Sequence, residues 1–76
     1  MSEGGQLLLL FPSIHHVLAA EQALREAGVG FELVPVPREI SPDCGMAVTV
    51  DTGERSRALA ALEGTPPERV LEGWER

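Results

Sequence analysis

Apolar residues fall in short blocks along this chain, and their spacing switches between the periods of strand and helix. Residues 6–11 read Gln6, four consecutive leucines and Phe11, the continuous pattern expected of a strand buried on both faces at the centre of a sheet. Pro12 ends it, Ser13 is placed to cap a helix over 14–27, and Gly28 follows as its C′ residue. Ile14, Val17, Leu18, Leu24 and Ala27 give that helix an apolar stripe, with Glu21, Arg25 and Glu26 at its margin or solvent face. Residues 30–36 alternate as a strand with Phe31, Leu33 and Pro35 on one side, and Pro35 confines it to a sheet edge or strand end. Residues 45–50 predict another strand, with Met46, Val48 and Val50 facing one way and Ala47 and Thr49 the other. Asp51, with Glu54 three residues on, reads as a capping box opening a second helix whose buried stripe is Ala58, Leu59 and Leu62 and whose end is Gly64. Beyond Pro66 and Pro67, Val70, Glu72 and Trp74 alternate as a last strand over 68–74, because too little chain remains to complete a helix.

The order β-α-β-β-α-β is that of an α+β, ferredoxin-like split βαβ fold: an antiparallel sheet with two helices on one face. A single domain over 1–76 is expected, with residues 1–5 disordered. In this topology strands one and two run parallel and strand three returns between them. Two helices cover only one face, so the other face of the first strand, with Leu8 and Leu10, is expected to lie open and to suit a homodimer.

A chain of 76 residues buries only roughly 60% of the surface its unfolded form exposes. With 43% apolar and 4% aromatic residues, the core must come from Leu, Val, Ala and Ile. The single cysteine excludes an internal disulfide and any Cys-x-x-Cys pair, which points to a reducing, cytoplasmic setting. The N-terminus lacks a basic n-region, and the longest apolar run, 7–11, is too short for a signal segment or a membrane span. Twelve acidic groups against six arginines, with no lysine, give a net charge of −6. That balance disfavours nucleic acid and anionic membranes and leaves proteins or small molecules as partners.

The chemistry-bearing residues cluster by topology. Cys44 lies on a connection stiffened by Pro35, Pro37, Pro42 and Gly45. The exit of the first strand, the start of the first helix and this connection share one end of the fold, bringing His15 and His16 towards Arg38, Ser41 and Cys44. A helix N-terminus or an arginine lowers a thiol's pKa from its usual ~8.5 and favours the nucleophilic thiolate, while Asp43 and Glu39 oppose ionisation. Cys44 can equally be a small apolar anchor of the loop. His15 and His16 point about 100° apart on a helix. With Cys44 they offer fewer than the four ligands of a structural zinc site, so neither metal nor other cofactor is expected. Arg38 either pairs with Glu39 in solvent or, with neighbouring loop amides, holds a small anion. Ser41, Pro42 and Asp43 first signal a turn, and Ser13 reads as a cap rather than a nucleophile.

The segment Phe11-Pro12-Ser13-Ile14-His15-His16, with Ala20, Glu21 and Leu24, and then Pro35-Val36-Pro37-Arg38-Glu39-Ile40-Ser41, with Cys44, Gly45 and Ala47, resembles the small bacterial family known as putative selenium/sulfur carrier protein-like. The resemblance runs from about Leu7 to Val50 and weakly through the second helix. It implies that Cys44 carries sulfur or selenium, and that His15 and Arg38 match the family's histidine and arginine. Well-understood sulfur-transfer proteins carry a Cys-Pro-x-Pro motif at a helix start. Here Gly45 and a strand follow Cys44 instead.

Two functional readings result. In the first, Cys44 accepts a sulfane atom from a donor protein and passes it to an acceptor; Arg38 and Ser41 stabilise the thiolate or persulfide, His15 exchanges a proton, and Gly45 leaves room for the partner. This is a transfer module rather than an enzyme with its own turnover. In the second, the domain is a noncatalytic binding or assembly module whose loop and histidine end recognises a protein partner or small anion.

Overall fold

The computed structural model describes residues 5–40 and 45–74, residue 74 through its backbone alone. Ser41 and Cys44 therefore lie outside the described residues, as do residues 1–4 of the stretch expected to be disordered. In chain order the elements are β1 (Gln6–Leu10), α1 (Ile14–Ala27), β2 (Glu32–Pro35), β3 (Met46–Asp51), a 3₁₀ turn (Thr52–Glu54), α2 (Arg55–Ala61) and β4 (Arg69–Trp74). They form a small α+β fold whose four-stranded sheet has the order β2-β3-β1-β4, antiparallel at every pairing. β3 thus separates β1 from β2, which run parallel to each other.

The register sorts side chains between the two faces of the sheet. Leu9 and Leu33 both stand opposite Val48, and partners in register project to the same side. On that side Leu7, Leu9, Phe11, Val48 and Val50 pack with Val17, Ala20 and Leu24 of α1 and with Ala58 and Leu62 at α2. On the other side Leu8, Leu10, Val34, Val36 and Ala47 form a second buried cluster, against which Ile40 and Leu71 pack. Among the described residues no helix lies on that face, yet Leu8 is 0% and Leu10 1% exposed. The face expected to be open is therefore closed, in part by Val34 of β2, by Val36 just after it and by Ile40 from the turn that follows. That removes the reason to expect a homodimer through it.

The periodicities locate the elements, but an apolar flank is not everywhere a buried one. Phe31, Leu33 and Pro35 do share the helix side, yet Leu33 and Pro35 are exposed, whereas Val34 and Val36 are buried. β2 is an edge strand, and the helices leave its outer side chains uncovered. In α1 the buried residues are Val17, Ala20 and Leu24, while Ile14, Leu18 and Ala27 are exposed. The stripe that reaches the sheet is narrower than the apolar one.

Helix ends follow local chemistry. Gly28 adopts a left-handed backbone with φ 76°. Its N–H donates to the Arg25 carbonyl at 3.1 Å and the Val29 N–H to that of Leu24 at 3.0 Å, the paired bonds of a glycine-terminated helix. The expected capping box at Asp51 and Glu54 does not form. Asp51 remains the last residue of β3 and makes no side-chain cap bond. Glu54 instead accepts from Arg57 at 2.7 Å, and α2 begins only after the 3₁₀ turn. It ends at Ala61 rather than at Gly64. Arg57 also donates to the Ala27 carbonyl at 3.3 Å, and Arg55 pairs with Glu72 of β4. No helix among the described residues is long and apolar enough to cross a membrane.

β4 carries a bulge. Leu8 stands opposite Leu71 but Gln6 opposite Trp74, so β4 holds one extra residue there, and Gly73 has φ 76°. The alternation of Val70, Glu72 and Trp74 is broken at that point, and residue 74 is brought into register with Gln6.

If the helix-free face is core, Leu8→Ala should cost about 2–5 kcal/mol in urea denaturation; a loss near zero would mean that the face is solvated. Gly73→Ala should cost roughly 1–2 kcal/mol, because a Cβ is disfavoured in the left-handed region. Gly64, with open space around it and no left-handed backbone, should accept alanine at a small fraction of that, and equal losses at the two positions would contradict the bulge geometry.

Candidate functional site

The end of the sheet where β1 exits collects the described neighbours of Cys44. β1 and β3 pair antiparallel, so Leu10 and Phe11 leave the sheet where Met46 and Gly45 enter it, and Met46 packs against the cluster that contains Phe11. Pro35 stands opposite Met46, and the Val36 N–H donates to the Gly45 carbonyl at 3.0 Å. Gly45 is exposed, and among the described residues, its chain neighbours aside, a Cβ placed on it would meet nothing within 4 Å. The residue that follows Cys44 in sequence is thus fixed through its backbone and uncrowded on its side-chain side.

α1 starts at the same end. Ser13 is extended at φ −155° and ψ 166°, and its carbonyl accepts from the amides of His16 and Val17, each at 3.1 Å. Its hydroxyl does not cap those amides. It lies 2.8 Å from His16 Nδ1 in a side-chain hydrogen bond. His16 occupies the third helical position, from which a capping-box glutamate would reach back, and here an imidazole takes the hydroxyl instead. The Ser-x-x-His spacing was the available signal for this pair, and a reading of Ser13 as a backbone cap passed over it. No acidic side chain lies in the first turn of α1.

The structure treats the sequence candidates unequally. His16 is committed to Ser13, while His15 is exposed. Arg38 is exposed on the turn closed by the Ile40 N–H donating to the Pro37 carbonyl at 3.0 Å. Among the described residues Arg38 pairs with neither Glu39 nor His15. Ile40, two residues on, packs with Leu8 and Leu10 on the face opposite α1. Sequence reasoning gave Ile40 no role, although it ties down the chain before Ser41. Among the described residues no group of three or more His, Cys, Asp or Glu side chains is gathered as a metal site.

This end therefore joins the start of α1, an arginine without an ion pair among the described residues, and a backbone-anchored glycine beside Cys44. The model of the family described as Putative Se/S carrier protein-like matches residues 6–72, nearly the whole chain and Cys44 with it. The chain belongs to this Se/S carrier family. No curated protein and no solved structure matches it.

Because the Ser13 hydroxyl serves His16, Ser13→Ala should cost about 0.5 kcal/mol or less, below the ~1 kcal/mol typical of removing a capping hydroxyl. His16→Ala should free the hydroxyl to cap the helix, so that Ser13→Ala costs more in that background. Equal effects in both backgrounds, measured by thermal denaturation, would show the pair to be uncoupled.

Proposed function

We propose that this domain is a sulfur or selenium carrier that holds a sulfane atom on Cys44 between a donor and an acceptor protein. Membership of the Se/S carrier family across 6–72 carries the reading, since that span includes the chain's one thiol. In the loading step the Cys44 thiolate attacks the terminal sulfur of a donor persulfide. A new S–S bond forms at Cys44, the donor's S–S bond breaks, and the donor leaves as a thiolate. Transfer to the acceptor repeats the exchange with the acceptor's thiolate as nucleophile, and selenium moves in the same way from a selenylsulfide. No external oxidant or reductant enters either step.

In this reading Arg38 supplies positive charge to the thiolate or terminal persulfide, with Ser41 as a hydrogen-bond donor. His15, exposed at the start of α1, exchanges the proton. Gly45 leaves the partner's sulfur a clear approach, which the open space around its Cα supports. A lone thiol stays reduced and available in the cytoplasm, where we place the protein. We read the sheet order β2-β3-β1-β4 as the ferredoxin-like split βαβ frame, with the 3₁₀ turn as an addition before α2.

Incubation with a cysteine persulfide donor should add the mass of one sulfur atom to the wild-type protein, removable by dithiothreitol. Cys44→Ala should take up none while keeping its circular dichroism spectrum. Arg38→Ala should slow iodoacetamide alkylation of Cys44 at neutral pH and move the rate profile to higher pH. Uptake by Cys44→Ala, or none by the wild type, would end the carrier assignment.

A further inference from the structure

Ser13 and His16 form a pair that the carrier reading does not use. The Ser13 hydroxyl lies 2.8 Å from His16 Nδ1, the reach at which a base takes the proton of a nucleophile. Both side chains spring from backbone that is held. Ser13 follows Pro12, whose ring fixes φ, and its carbonyl accepts from the amides of His16 and Val17, each at 3.1 Å. His16 lies within the first turn of α1, beside Val17, which is buried in the core on the helix side of the sheet. Serine nucleophiles are held exposed in the same kind of place, a turn that leads from a strand into a helix.

The way the hydroxyl is used separates this pair from a helix cap. A capping oxygen accepts from a backbone amide. Here the hydroxyl is turned to an imidazole nitrogen, which in the neutral ring accepts the hydroxyl proton. No acidic side chain lies in the first turn of α1 to compete for that proton, and among the described residues His16 makes no ion pair. The imidazole therefore has the hydroxyl as its one partner among them. His16 is exposed and Ser13 half-buried, so a small reagent reaches the pair from solvent.

We propose that Ser13 is a nucleophile activated by His16, and a site of acylation by activated esters and thioesters. Ser13 Oγ attacks the acyl carbonyl while its proton passes to His16 Nδ1. A C–O bond forms at Ser13, and the bond from the carbonyl carbon to the leaving oxygen or sulfur breaks with its electron pair. His16 returns the proton to the leaving group, which departs as a hydroxyl compound or a thiol, and Ser13 is left as an ester. No oxidant or reductant enters. The inference stands whether or not Cys44 carries sulfur.

The test treats the full-length protein with p-nitrophenyl acetate and follows acetylation of each serine by mass spectrometry of proteolytic peptides. Ser56 supplies the reference rate, since it is exposed on α2 and has no side-chain hydrogen bond among the described residues. Ser13 should be acetylated roughly 100-fold faster, the lower end of what a positioned general base contributes. His16→Asn keeps a hydrogen-bond acceptor beside the hydroxyl but cannot take up a proton. It should bring Ser13 down to the rate of Ser56 while leaving the circular dichroism spectrum unchanged. The comparison of Ser13 with Ser56 in the wild type needs no variant and decides the matter even if His16→Asn does not fold. Equal rates at the two serines, or an undiminished Ser13 rate in folded His16→Asn, would overturn the proposal and leave persulfide loading of Cys44 untouched.

Discussion

The rest of the fold depends on β1 being apolar on both sides. Its leucines alternate between the two faces of the sheet, so each face has to be covered for the strand to leave water. α1 and α2 cover one side and bury Leu7 and Leu9 together with Phe11. The other side has no helix among the described residues, and a short chain has little to place there. Leu8 and Leu10 are covered instead within a cluster of Val34, Val36 and Ala47, closed further by Leu71 and Ile40. Part of the cover thus comes from the connection between β2 and β3, so that stretch belongs to the core as well as to the site.

The same demand shapes the edges. With β1 and β3 at the centre of the sheet, β2 and β4 are left as edge strands, whose free backbone groups invite pairing with other chains. β2 is four residues long and ends in Pro35, and β4 is bulged at Gly73. Both devices discourage strand addition. Neither covers side chains, and on the α1 side of β2 that leaves Leu33 exposed.

Elements whose signal lies in consecutive residues were legible in the sequence. The run of leucines marked β1, Ser13 and Gly28 marked the ends of α1 to the residue, and Pro35 marked an edge strand. Features that depend on what packs across space were not legible. Alternation shows which residues of β2 share a face, but not that the buried face would be that of Val34 and Val36. Asp51 and Glu54 have capping-box spacing, but β3 keeps Asp51 extended and Arg57 takes the Glu54 carboxylate. At the site, the meeting of the β1 exit with Gly45 follows from strand order alone. The diversion of Ser13 to His16 is a competition between two acceptable partners that spacing does not decide. Ile40 looked like one apolar residue in a polar loop because its cluster is assembled from four separate strands.

Ile40 also changes how the connection that carries Cys44 should be regarded. From Val36 to Gly45 it would be a long excursion, and ordering such a loop costs conformational entropy. The structure fixes it at two points, with Ile40 packed into the core cluster and Gly45 held by the Val36 amide. Only 41–44 lie between those anchors, so the ends of the segment bearing the thiol are set by the core itself. Stability and chemistry are coupled as a result: a substitution that loosens the Leu8 and Leu10 cluster also releases the anchor beside Ser41. Because ordering a loop costs conformational entropy for every residue fixed, two anchors made by the core shorten the stretch whose cost is left to be met.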